Sequence, residues 1–305
     1  MWSGIRMNTV KERVDEISRN DNLSLQTQPT TAKIELTGRC TLNCSFCEHG
    51  EMCRRNERQS LITEDEFQMA YDYVKSFSSM KEIGLFYMGE SSLHPKLAQF
   101  YKQVHDDGYF TFLTTNGTIT KNIIPAIPYI DSLKVSYNYK SSHDFELKTR
   151  CSSYLLTKIH RNICTLADVC HAYGKKLAVS VVLDSEKEDY CSTGMMLEEL
   201  GVDERYFIPL QNQGGTQEKG AGGVIGEADN PVSPMPCWSL FKGIYIDCEL
   251  NVRTCCYGHG KEHILGNLKD GPVSLEQKRK YMCQHLNGEI PKVCTQCIKT
   301  PAFVS

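Results

Sequence analysis

The chain has 305 residues, 40% of them hydrophobic, and a formal net charge of -3, which gives enough apolar material for a large core and no electrostatic footprint for nucleic acid. Its first thirty residues are polar without an apolar signal segment, and no stretch approaches the ~18 apolar residues of a membrane span, so the expected setting is cytoplasmic, with neither membrane nor nucleic acid as a partner. Fifteen cysteines then argue for metal or redox chemistry, because cytosolic thiols stay reduced and an odd number cannot all pair.

In chain order, residues 1–31 read as an N-terminal extension. From Ala32 to Asn212, apolar runs of strand length alternate with amphipathic stretches. Strands are predicted at 32–38, 82–89, 109–117, 132–138, 176–184 and 205–212, with helices starting near Thr63, Pro95, Thr120, Ser152 and Glu188. Strands alternating with helices imply an α/β fold with a parallel sheet, here a partial (β/α)6 TIM-like barrel. Functional groups of such barrels gather where strands end, and the residues there are polar: Thr37, Gly38 and Cys40; Gly89 and Glu90; Thr115, Asn116 and Gly117; Ser136 and Asn138. Residues 213–230 are Gly-rich and read as a linker or lid. Residues 231–305 are cysteine-rich and read as a separate small module.

The cysteines fall in two groups: four between Cys40 and Cys53, and seven between Cys237 and Cys297. Cys151, Cys164, Cys170 and Cys191 are scattered through helical-looking segments and read as small buried hydrophobes. In the first group, TGRCTLNCSFC spaces Cys40, Cys44 and Cys47 as CxxxCxxC directly after the first strand. Three thiolates can hold three irons of a [4Fe-4S] cluster and leave the fourth iron open. A zinc site completed by His49 or Cys53 is the competing assignment.

A CxxxCxxC loop after the first strand of a βα array, with the aromatic Phe46 before its last cysteine, resembles the signature of the radical S-adenosylmethionine (SAM) superfamily. The resemblance implies that SAM chelates the open iron and that its reductive cleavage yields a 5'-deoxyadenosyl radical, which takes a hydrogen atom from substrate. It also implies SAM contacts. Gly89 and Glu90 of YMGE match the family's GGE motif, with Met88 in place of the first glycine. Ser136 resembles the ribose-contacting residue, and Arg150 the arginine that meets the SAM carboxylate. Leu210 and Phe46 fall at adenine-contacting positions.

The tail resembles the SPASM extension of these enzymes or its shorter twitch form: a cysteine, a hairpin carrying a second, a helix and a closing CxxC. That pattern implies that Cys237, Cys255, Cys294 and Cys297 ligate one auxiliary [4Fe-4S] cluster. The CxxCxxxxxC run of a full SPASM tail is absent, which favours twitch. Four-thiolate zinc is again the alternative.

A fully ligated second cluster suits electron transfer, so the expected reaction is oxidation of a polar small molecule. Twitch-type dehydrogenases of aminocyclitol antibiotic assembly are similar in this respect. A flavodoxin- or ferredoxin-type protein would supply electrons. Epimerisation is the second reading, with the Cys256 thiol returning a hydrogen atom to a carbon radical; Cys53, Cys248 and Cys283 are weaker candidates for that task. Modification of a ribosomally made peptide is the third. Tyr87, His94, Tyr137 and His259 are candidates to line the pocket.

Overall fold

Strand β1 (Thr31–Ile34) alternates with period two, its Ala32 and Ile34 fully buried and its Thr31 and Lys33 half-buried on the opposite face. That pattern suits a central strand with helices packed on one side and a lined recess on the other. The computed structural model describes residues 28–47, 59–183, 191–209, 236–256 and 260–294. On one side β1 pairs in parallel with β2 (Glu82–Gly84), followed by β3 (Phe110–Thr115), β4 (Ser132–Ser136), β5 (Leu177–Leu183) and β6 (Glu204–Pro209), all parallel. On its other side β1 pairs in parallel with β7 (Gly243–Ile246), which turns back into antiparallel β8 (Asn251–Arg253) and β9 (Ile264–Asn267). The sheet of nine strands is open, with β6 and β9 at its edges. Three strands of the tail thus extend the sheet of the preceding βα array.

Helix α1 (Glu64–Lys75) forms where the sequence places it because Thr63 and Glu66 close a capping box and Phe67, Ala70, Tyr71 and Val74 share one buried stripe. Helix α2 (Leu97–Asp106) packs beside it, with the Phe100 ring stacked on Phe67 at 3.9 Å between centroids. Between β3 and β4 the helix expected from Thr120 is instead a 3-10 turn, Ile124–Tyr129. Pro125 and Pro128 lack the N–H groups that an α-helix there would need. After β4 comes a helix that sequence reading passed over, α3 (Ser142–Thr149), capped by Ser141 and burying Phe145, Lys148 and Thr149. A single apolar anchor leaves no periodic pattern to find.

Helix α4 (Tyr154–Ala172) buries Leu156, Ile159, Ile163 and Leu166 against the same core, and α5 (Cys191–Glu199) follows β5. In the tail, α6 (Trp238–Lys242) leads into β7, and α7 (Glu276–Leu286) follows β9. The Gly-rich linker lies outside the described residues. No helix among the described residues is long and apolar enough to cross a membrane.

Candidate cofactor and active site

The loop after β1 is closed at its base by an antiparallel bridge between Thr37 and Leu61. Gly38 N donates to Ser60 O at 3.0 Å, Thr37 Oγ1 to the same carbonyl at 2.9 Å, and Arg39 Nε to Gln59 O at 2.8 Å. Helix α3 holds its far side: Asn43 N donates to Thr149 O and Ser45 N to Lys148 O. Cys40, Cys44 and Cys47 are half-buried in this loop, and Phe46 is half-buried in the turn made by Cys47 N on Cys44 O. Burial, then the neighbouring Cys47, Cys40 and Cys151, push the Cys44 thiol well above its ordinary range. Cys151, given no role from sequence, therefore belongs to this thiol group.

Asn116, at the end of β3, turns its Nδ2 to Cys40 Sγ at 3.6 Å and Thr41 Oγ1 at 3.0 Å. Such N–H donors to sulfur are what a thiolate cluster uses to delocalise its charge. Crowded thiolates are stable only against cations, so the donor set fits an iron–sulfur cluster. Among the described residues no three His, Cys, Asp or Glu side chains converge on one ion-sized point.

Glu90 N donates to Arg39 O at 2.7 Å, drawing the YMGE turn against the cysteine loop. A Cβ on Gly89 would lie 1.9 Å from Thr37 O, so the approach admits only glycine. The buried Glu90 carboxylate accepts from Thr115 Oγ1 and Asn116 N, each at 2.7 Å, and from Ser92 N at 3.1 Å. These bonds occupy three of its roughly four acceptor sites, leaving one for an incoming donor, and they aim Asn116 at Cys40.

Sequence reading missed Glu35. Fully buried at the end of β1, it accepts from Met88 N and Gly89 N on one oxygen and from Cys248 N on the other, at 2.9 to 3.0 Å. Ser136 closes β4, half-buried and level with Ser180 of β5. Arg150 is the exposed, left-handed C-cap of α3 with φ 55, one residue from Cys151. Among the described residues, no hydrogen bond or ion pair joins its side chain to Phe46, Gly89, Glu90 or Ser136. His94 and Tyr137 are internal struts: His94 Nε2 meets Ile62 O at 2.9 Å, and Tyr137 Oη meets His160 Nε2 at 2.8 Å. Leu210, Cys297, Cys53, His49 and His259 lie outside the described residues.

A second thiol group forms at the start of β7. Lys278 of α7 donates to Gly243 O and Thr254 O. Burial lowers it to about 8, while Cys255, Cys237 and Cys256 act to raise it. These three thiols thus lie within electrostatic reach of one buried amine. Cys256 Sγ donates to Ser239 Oγ at 3.3 Å, and Cys237 N donates to His285 Nδ1 at 3.3 Å. Cys294, in the turn Lys292–Cys294, and Cys283, on α7, are half-buried. Cys248 sits apart, at the other end of the hairpin beside Glu35. Tyr87 Oη donates to Cys255 O at 3.1 Å and its ring lies 5.8 Å from that of Tyr245.

The first thiol group follows the C-terminal end of β1, while Cys237 and Cys255 flank the N-terminal end of β7, its parallel neighbour. The sheet face turned away from the helices, the inner face, runs between them.

Comparison with known proteins agrees with this arrangement. Residues 34–171 match the model of the Radical SAM superfamily. The tungsten-containing aldehyde ferredoxin oxidoreductase cofactor-modifying protein of Pyrococcus furiosus is 28% identical over 88 residues, 28% of this chain and 23% of that protein, so the match spans under a quarter of this relative's length. Streptococcus suis SuiB bound to precursor peptide SuiA shares the fold at a TM-score of 0.63 and 14% identity, covering 90% of this chain and 71% of that one. BtrN in complex with AdoMet and 2-DOIA does so at 0.55 and 12%, covering 89% and 94%. Residues 34–171 thus carry a radical SAM superfamily domain.

Proposed function

We propose that this enzyme oxidises a polar small molecule, such as an aminocyclitol or sugar alcohol, by radical hydrogen abstraction on the inner face of the sheet. The observation that carries the reading is the placement of two thiol groups at opposite ends of the β1–β7 pair. Cys40, Cys44 and Cys47 would hold the SAM-binding cluster. Gly89, Glu90, Ser136, Phe46 and Leu210 would receive SAM, with Arg150 near its carboxylate. Cys237, Cys255, Cys294 and Cys297 would hold the second cluster. When bound, SAM with its cluster supplies the 5'-deoxyadenosyl radical, and the second cluster supplies an electron acceptor.

The chain's own contribution is position. Glu35 and Glu90 fix the YMGE turn and Asn116 against the cysteine loop, and Tyr87 and Tyr245 cover the face beside Cys255. Oxidation removes one hydrogen atom, one proton and one electron from substrate. A flavodoxin- or ferredoxin-type protein would start the cycle.

Epimerisation stays as a second reading because Cys256 lies within electrostatic reach of Lys33 on the inner face. Its thiol would return a hydrogen atom to the substrate radical. Turnover of an aminocyclitol and sugar-alcohol panel in D2O separates the two. A product lighter by two hydrogens without carbon-bound deuterium supports oxidation. A product of unchanged formula with one solvent deuterium on carbon contradicts it and supports Cys256.

A further inference from the structure

Buried lysines in this fold are normally satisfied by the chain itself. Lys148 reaches Asn138 O and Asp144, Lys175 reaches three carbonyls, and Lys278 reaches two. Lys33 and Lys134 differ. Neither has a hydrogen bond or ion-pair partner among the described residues, although both side chains are half-buried.

Strand register puts both on the inner face. Lys33 is level with Tyr245 on one side and Gly84 on the other, and Lys134 is level with Thr114 and Ala178. Gly84 has no side chain, and the rings of Phe86 and Phe112 fold over it; a Cβ there would lie 2.8 Å from each. The two rings meet edge to face at 5.4 Å, and Lys33 Nζ lies 4.7 Å above the Phe86 centroid. The result is an aromatic floor with an amine at each side, between the two thiol groups.

Burial, and for Lys134 the nearby Lys33, lower both amines, Lys134 to about 8. Cys256 is the group opposing that shift at Lys33, and Glu82, lower on the same face, is held by Thr31 Oγ1 at 3.1 Å. Two unpaired amines in one recess are costly unless an anion joins them. We propose that Lys33 and Lys134 form an anion subsite that takes a carboxylate or phosphate of the substrate between them, over Phe86 and Phe112. This narrows the polar substrate proposed above to one that carries a carboxylate or phosphate, such as an acidic or phosphorylated sugar alcohol, and rests on that proposal only in treating the inner face as the substrate pocket.

The test is calorimetric titration of anaerobically reconstituted protein, with SAM present, using glucose 6-phosphate, gluconate and glucose. The phosphate and carboxylate arms separate the two anion sources, and glucose is the neutral control. Binding of at least one anion roughly ten- to a hundredfold tighter than glucose is expected, as is loss of that preference in Lys33→Met and Lys134→Met with recovery in Lys33→Arg. Iron content of each preparation reports folding and loading. Equal binding of all three sugars by wild type, or no binding of either anion, overturns the proposal without recourse to a variant. So does a Lys134→Met protein that loses SAM affinity but keeps its anion preference, which would assign the lysine to SAM. Failure of wild type to form 5'-deoxyadenosine would instead defeat the functional reading and leave the binding result standing.

Discussion

The backbone N–H of Cys248 donates to Glu35 Oε2 at 3.0 Å across a separation of 213 residues. The other oxygen of the same carboxylate holds Met88 N and Gly89 N. One buried side chain thus ties the C-terminal hairpin to the turn expected to receive SAM. Glu35→Gln keeps the shape but places an amide N–H against a backbone donor and removes the charge. Unfolding in urea should show a loss of about 2–4 kcal/mol, from bonds to a charged acceptor worth about 1.5–3 kcal/mol each. A loss under about 0.5 kcal/mol would mean that the tie does not support the fold.

Gly89→Ala tests the close approach of the YMGE turn. Its Cβ would collide with the Thr37 carbonyl, a backbone atom with no flexible end to move aside. The variant should load less iron in the first site and form 5'-deoxyadenosine at least about tenfold more slowly, a rise in the barrier of about 1.4 kcal/mol. Wild-type loading and rate would show that the turn can retreat.

Asn116 acts through Cys40, so Asn116→Ala should leave iron content near wild type and move the cluster's midpoint potential downward. Loss of an N–H donor to sulfur destabilises the reduced, more negative state. Redox titration followed by EPR measures this. An unchanged potential would reduce Asn116 to a loop strut through Thr41 and Thr118.

Anion binding should weaken with rising pH. Lys134, lowered to about 8, is charged below that value and loses its proton as pH rises through it. The groups facing it are Lys33 across the recess and the uncharged Thr114 and Ala178 on adjoining strands, with Cys256 behind Lys33. Gluconate, ionised throughout, should bind roughly tenfold more weakly at about pH 9 than at about pH 7. Lys134→Arg, which stays charged, should flatten the profile. A flat wild-type profile would remove Lys134 from the subsite.

Much of the fold was legible because its signals are local. The Thr63–Glu66 capping box announces α1, the alternation of 32–38 announces β1, and the CxxxCxxC spacing sits within one loop. What the sequence concealed depends on distant partners. Glu35 reads as one more polar residue of an alternating strand, and the donors Met88 N, Gly89 N and Cys248 N come from two other parts of the chain. Lys33 and Lys134 likewise read as the wet side of their strands, whereas in an open barrel that side is the recess. Cys151 joined the thiol group only because α3, invisible to periodicity, folds back on the cysteine loop. Likewise, nothing local marks β7 as the partner of β1.

The most direct test of the account is to count iron and sulfide in anaerobically reconstituted wild type and in the Cys40/Cys44/Cys47→Ala triple variant, then add SAM and dithionite. About eight irons in wild type falling to about four in the variant, with 5'-deoxyadenosine from wild type alone, is the predicted result for two four-iron clusters. Zinc in place of iron, or a well-loaded wild type that leaves SAM intact, would contradict it.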